Sequence, residues 1–236
     1  MNILIFGATS GIGKELAKLL VNDNHTVVIT GRRLEKLQEI KNSNPEKYII
    51  RQHDVTDLNS SDTLFDEILK ELKTIDLIVY SSGVGEANYQ LEWEKELPTL
   101  ETNVMGATKI FGLAYQLFHK QGYGHLVAIS SIAAIRGNRH VPAYFASKAF
   151  QKNYLESLWL KGQKSKAEIY VTDIIPGFVD TAMAKGATFW MADTQKATKQ
   201  IYQAIKKKKK RAYITKRWRL VAIFLRILPA RLLLKM

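Results

Sequence analysis

Short runs of apolar and β-branched residues alternate along the chain with longer stretches in which apolar positions recur every three or four residues. The first kind of run suits a strand buried on both faces; the second suits a helix that covers a sheet with one of its sides. The runs predict strands at Asn2–Phe6, Thr26–Thr30, Lys47–Gln52, Asp76–Tyr80, His125–Ser130 and Glu168–Ile174, with a last one at Ala212–Thr215. Helices are expected between them, over Gly11–Asn22, Leu34–Lys41, Asn59–Lys73, Leu97–Lys120, Ala143–Lys161 and Thr194–Lys209. Repeated strand–helix units of this kind build an α/β fold, a doubly wound parallel sheet with helices on both faces. Ligands of such sheets sit beyond the carboxyl ends of the strands, so the chemistry is to be sought in the loops there.

The loop after the first strand reads Gly7-Ala8-Thr9-Ser10-Gly11-Ile12-Gly13. Glycines permit a tight turn and close approach of the backbone to a phosphate, and the free N–H groups at a helix start favour an anion. A glycine turn without a ligand is the bland alternative, but a loop that joins a first strand to a first helix favours pyrophosphate binding. The spacing Gly-x3-Gly-x-Gly resembles the short-chain dehydrogenase/reductase family, and the resemblance runs from about Asn2 to Thr181. It implies a Rossmann-type domain, expected over 1–215, in which Gly7, Ser10, Gly11, Ile12 and Gly13 hold the cofactor phosphates. It also implies hydride transfer between a nicotinamide cofactor and a carbonyl or alcohol carbon.

Other positions refine the resemblance. Members of the family that use NAD carry an acidic residue where Gly31 falls, because a carboxylate accepts hydrogen bonds from the ribose 2′-hydroxyl. Here Gly31 is followed by Arg32 and Arg33, whose guanidinium groups suit a 2′-phosphate, so NADP(H) is the expected cofactor; two solvated arginines are the alternative. Asp54 and Val55 match the positions that contact the adenine. Tyr80-Ser81-Ser82-Gly83 stands where the family has Asn-Asn-Ala-Gly, with Ser82 and Gly83 still expected beside the cofactor. Phe6 replaces a common threonine. Pro176-Gly177-Phe178-Val179-Asp180-Thr181 matches the loop around the nicotinamide, with the Val179 backbone and the Thr181 hydroxyl expected at the carboxamide.

Tyr144 and Lys148 lie four residues apart on an expected helix and so project from one face. A tyrosine of ordinary pKa, about 10, is a poor base, and a nearby ammonium would stabilise its phenolate. Such a pair arises by chance on many helices; Ser131, at the end of the fifth strand, adds to it. By resemblance Ser131 hydrogen-bonds the substrate oxygen, Tyr144 carries the proton, Lys148 binds the nicotinamide ribose, and Asn103 holds a water in a proton relay. Ser130 competes with Ser131, since strand alternation lets only one of them face the site, and spacing to Tyr144 favours Ser131. An ordinary polar residue interrupting a helix is the bland reading of Asn103.

Composition narrows the rest. The chain has 236 residues, room for one large domain with a tail at 216–236, and no cysteine, which excludes disulfides and thiol chemistry. Its five histidines are scattered, and no metal site is expected. No leader or membrane-spanning run is seen, so a cytoplasmic location is expected. The net charge of +13 is concentrated near the end: 13 Lys and Arg and no Asp or Glu lie in 199–236. Within that tail Leu220, Ile223, Phe224, Ile227 and Leu228 follow one helix face, with Arg219 and Arg226 away from it. Together with Lys206–Arg211, Trp218 and Leu232–Leu234 they predict peripheral attachment to anionic membranes. Closure of the substrate pocket or packing in an oligomer are the competing readings; nucleic acid is disfavoured because no recognisable module accompanies the charge. The resemblance also implies a homo-oligomer. Phe178, Met183, Phe189, Trp190 and Met191 make the segment 178–195 an apolar lid for a hydrophobic or lipid-like substrate, or else simply core.

Overall fold

The computed structural model describes residues 1–184 and 189–233. Among these, β1 (Asn2–Phe6), β2 (Thr26–Gly31), β3 (Tyr48–Gln52), β4 (Leu77–Tyr80), β5 (Tyr123–Ile129), β6 (Glu168–Pro176) and β7 (Arg211–Ile214) form one parallel sheet in the order β3-β2-β1-β4-β5-β6-β7. Its helices are α1 (Gly11–Asn22), α2 (Leu34–Asn42), α3 (Ser60–Leu72), α4 (Trp93–Leu100), α5 (Ala107–Gln121), α6 (Pro142–Gln163), α7 (Thr194–Lys206), α8 (Trp218–Ile227) and α9 (Ala230–Leu233). The expected doubly wound Rossmann-type architecture is therefore present.

Strand alternation divides the core into two layers. Ile3 and Ile5 of β1 face Leu16 and Leu20 of α1 and Ile201 of α7. Leu4 and Phe6 face the other way, toward Phe65 of α3, Phe111 of α5 and Leu155 of α6. Both faces of the central strands are thus covered, which is why they read as unbroken apolar runs. β1 pairs with β2 on one side and β4 on the other, and the direction of winding reverses between them. The crevice at that switch point lies beside the glycine loop.

The sequence predicts one helix over Leu97–Lys120, and here the structure differs. A π-helical turn, Glu101–Gly106, separates α4 from α5. Gly106 sits where a Cβ would lie 2.4 Å from the Val55 carbonyl oxygen, so the turn presses against the end of the third strand. The wider hydrogen-bond ring leaves carbonyls free for other partners. The Thr102 carbonyl accepts from the Tyr80 hydroxyl at 2.6 Å, and that of Asn103 accepts from Gln151 Nε2 at 2.8 Å.

The tail expectation also needs correction. Trp218 and Ala222 are buried against the body, and so is Leu228, whose carbonyl accepts from Arg136 Nη2 at 3.0 Å. Neither Trp218 nor Leu228 is available to an interface. Leu220, Ile223, Phe224 and Ile227 do form the exposed face. Leu234 lies outside the described residues. Among the described residues no helix is long and apolar enough to cross a membrane.

His125 makes a testable contribution to the sheet. The Thr172 hydroxyl donates to the Lys209 carbonyl, so at 2.8 Å it must accept from His125 Nε2, which fixes the neutral Nε2–H tautomer. Burial holds the imidazole down to about 4, with Lys208 adding to the effect. The unfolded chain therefore binds a proton near pH 6.5 that the folded chain refuses until about pH 4, and stability is lost as pH falls through that window, by about 3 kcal/mol at its foot. Urea melts of wild type and His125→Asn should show a flatter acid limb in the variant; equal pH slopes would remove this role.

Candidate active site

The glycine loop is built for close approach. Gly7 and Gly11 have φ of +79° and +55°, a left-handed conformation that glycine adopts without strain. A Cβ at Gly13 would stand 2.3 Å from the Gly7 carbonyl oxygen, and one at Gly7 2.6 Å from the Ser82 nitrogen. Ser10, in extended conformation, leads into α1 with no side-chain cap of its own, and Ile12 packs against the core. The first N–H groups of α1 are thereby left facing the loop.

Around this turn the structure gathers most of the residues expected at a cofactor. Arg33 Nη2 donates to Thr9 Oγ1 at 2.7 Å and to Ser10 Oγ at 3.1 Å, which leans its guanidinium over the loop. Arg32 points to solvent, 3.9 Å from Asp54 Oδ2. Asp54 Oδ1 accepts from the Thr56 N–H and hydroxyl, and Val55 is buried. At Gly31 a Cβ would meet Thr9 Cγ2 at 2.6 Å, so an acidic side chain could enter only if Thr9 moved. On the far side of the loop a Cβ at Gly11 would be 3.2 Å from Thr181 Cγ2. The segment Pro176–Thr181 is tied down by Gly177 N–H to Ile214 O at 2.7 Å and by an isolated bridge from Val179 to Ala192.

The second group converges on α6. The Ser130 hydroxyl turns to the Asp173 carboxylate and the Ile174 carbonyl, away from the site, whereas the Ser131 hydroxyl accepts from the Ala133 N–H and lies near the Tyr144 phenol. Lys148 is buried, with Nζ 3.1 Å from both the Ile129 carbonyl and Gln151 Oε1 and 5.8 Å from the centre of the Tyr144 ring. A Cβ at Gly83 would lie 3.3 Å from that ammonium.

Asn103 and Tyr144 are both held by their surroundings. Asn103 Oδ1 accepts from the Val84 N–H at 3.0 Å, and Nδ2 donates to Val84 O and Ser147 Oγ. Its amide thus clamps the loop after β4 to α6, and both amide hydrogens are used. Tyr144 was expected to be shifted down by Lys148. Burial instead pushes the phenol up, and the Ser131 hydrogen bond opposes that only in part. Lys148 itself is lowered to about 8 by burial, with Asp173 pulling the other way.

The comparisons with known proteins bear on the family and the fold. A family model described as short chain dehydrogenase matches residues 1–192. The chain belongs to the short-chain dehydrogenase family. An uncharacterized oxidoreductase of Mycobacterium tuberculosis is 31% identical over 98% of this chain and 94% of its own length. Among solved structures, ElxO with NADP bound superposes with a TM-score of 0.81 at 22% identity, over 90% of this chain and 96% of its own. A short-chain dehydrogenase/reductase from Burkholderia phymatum in complex with NAD reaches 0.85 at 15%, over 94% and 92%. These two likenesses speak for the fold. Family membership makes the protein an oxidoreductase.

Sequence reasoning missed two contacts in this short-chain dehydrogenase. Gly85 lies so close to the Tyr144 ring that a Cβ there would be 2.5 Å from Cδ2. Gln151 joins Asn103 to Lys148 through its two amide ends. The available signal was the i, i+3, i+4, i+7 spacing of Tyr144, Ser147, Lys148 and Gln151, which sets all four on one side of α6. The lid residues Phe178, Phe189 and Trp190 are partly exposed and pack edge-on around Trp218, with Phe189 stacked on Trp190; the side chain of Met183 is outside the described set. A separate cleft of about 290 Å³ lies along α6 and the preceding turn, lined by Ile135, Arg136, Pro142, Phe145 and Ala149 and by none of the four expected catalytic residues.

Proposed function

We propose that this short-chain dehydrogenase moves a hydride between NADP(H) and a carbonyl or alcohol carbon, with Tyr144 as proton donor and acceptor. The observation that carries the reading is the convergence of the Ser131 hydroxyl and the Tyr144 phenol, with Lys148 fixed by two hydrogen bonds and its Nζ 5.8 Å from the Tyr144 ring centre. The cofactor fits the cradle that a Cβ at Gly7 or Gly13 would fill. Gly7, Gly11 and Gly13 would hold the phosphates, with Gly83 and the Pro176–Thr181 loop beside the nicotinamide. When bound, the cofactor supplies or accepts the hydride.

In reduction, the carbonyl oxygen gains electron density as its carbon is attacked. Tyr144 Oη–H donates its proton to that oxygen while Ser131 Oγ–H hydrogen-bonds it. A phenol pushed up by burial stays protonated through neutral pH and so serves as an acid. In oxidation the same groups run in reverse. The lid aromatics favour an apolar substrate. Phe150 and Leu160, exposed on α6, support self-association along the long helices. The test is a panel of aldehydes and ketones with NADPH, followed by loss of reduced-cofactor absorbance; a panel without turnover in either direction would sink the reading.

Cofactor choice rests on Arg33 more than on Arg32, because only Arg33 is held at the phosphate loop. Loss of a charge-assisted pair costs about 2 kcal/mol, so Arg33→Ala should weaken NADPH binding about thirtyfold and leave NADH nearly unchanged. Arg32→Ala should cost less. Titration of both cofactors against the three proteins checks this, and equal wild-type affinities would overturn it.

A further inference from the structure

The two sides of α8 do different work. Trp218 and Ala222 face inward, and Trp218 lies so near Gly177 that a Cβ there would be 1.9 Å from its ring. Arg217 Nη2 donates to the Trp190 carbonyl at 2.8 Å, so the start of α8 also holds the lid. The opposite side is apolar and bare. Leu220, Ile223, Phe224 and Ile227 are 68%, 48%, 53% and 74% exposed, at the i, i+3, i+4, i+7 spacing of one continuous stripe. A helix of ten residues with four large apolar side chains in solvent is a surface waiting for an apolar partner.

Charge decides which partner. Lys216, Arg217, Arg219 and Arg226 are exposed in and around the helix, and no Asp or Glu follows Asp193. Arg219 and Arg226, seven residues apart, line one edge of the stripe. In a twofold contact between two copies the same patch meets itself, which would set these arginines against each other with no acid from α8 to pair them. An anionic lipid surface accepts both features at once: its headgroups pair with the arginines and its acyl boundary takes the stripe.

We propose that the outer face of α8 docks on an anionic bilayer. The docking is independent of hydride transfer, so its test needs no substrate. Sedimentation is measured with vesicles of pure phosphatidylcholine and of equal parts phosphatidylcholine and phosphatidylglycerol, at low and high salt. Wild type should pellet with the anionic vesicles at low salt and be released by salt, because surface charge attraction is screened. Ile223→Ser/Ile227→Ser should lower that binding about tenfold or more, as the buried apolar area is lost. Arg219→Gln/Arg226→Gln, which leaves the stripe intact, should reduce the preference for anionic over neutral vesicles about tenfold, at about 1 kcal/mol per charge near the surface. Both variants should keep the wild-type melting temperature, since every altered side chain is exposed. Equal pelleting with neutral vesicles, no pelleting at all, or wild-type binding by the isoleucine variant would each overturn the proposal. So would a wild-type dimer, seen by analytical ultracentrifugation, that the isoleucine variant loses while vesicle binding is absent; the second copy would then be the occupant.

Discussion

Tyr144→Phe is expected to lower kcat about a thousandfold while NADPH affinity changes by less than about threefold, because the substitution deletes a proton donor and little else. The ring is half-buried and rests against Gly85, so phenylalanine fills the same space. Loss of the hydroxyl near Ser131 should change stability by about 1 kcal/mol or less. Single-turnover rates and a fluorescence titration with NADPH separate the two effects. Near-normal turnover would remove Tyr144 from the proton path, and parallel loss of cofactor binding would make it a structural residue. The wild-type rate has a predicted pH signature as well. Burial lowers Lys148 to about 8, so its charge, present below that value, is lost as pH rises through it. The rate of reduction should fall above about pH 8 if the ammonium supports catalysis.

The sheet was legible because its central strands are covered on both faces and read as apolar runs; Asn2–Phe6 and Thr26–Gly31 show this in five or six letters. Boundaries that depend on tertiary contacts were less so. The π-helical turn at Glu101–Gly106 leaves the apolar periodicity of Leu97–Lys120 intact, and what requires it is the approach of Gly106 to Val55, two segments far apart in sequence. The positions of Ser131, Tyr144 and Lys148 could be read from spacing, since helix and strand geometry carry a spacing directly into space. Their electrostatics could not. Lys148 turns toward Ile129 and Gln151, and the burial of Tyr144 outweighs any help to its phenolate. For α8 the pattern revealed a stripe but could not say that Trp218 would be spent inside, because periodicity marks an apolar side and not which neighbour covers it.

The same glycine-to-alanine change should have opposite signs at two positions, and the contrast isolates what the cofactor loop requires. Gly112, inside α5, has no heavy atom within 4 Å of a built Cβ, so Gly112→Ala should stabilise the fold by about 0.5–1 kcal/mol through helix propensity and a less flexible unfolded chain. At Gly13 the added carbon would stand 2.3 Å from the Gly7 carbonyl oxygen, with Ser81 Oγ at 3.2 Å. Neither side can yield cheaply, since the first contact is backbone on backbone between the end of β1 and the start of α1. Gly13→Ala should therefore cost about 1–3 kcal/mol in stability as the turn opens. Opening the turn also moves the N–H groups that would meet the phosphates, so NADPH binding should weaken by about a hundredfold, far beyond the effect of Arg33→Ala. Thermal melts with and without NADPH read both quantities. The Gly112 variant should keep the full ligand-induced rise in melting temperature, and the Gly13 variant should lose most of it. A Gly13→Ala protein that melts and binds NADPH as wild type does would mean that the loop does not approach as closely as this geometry requires.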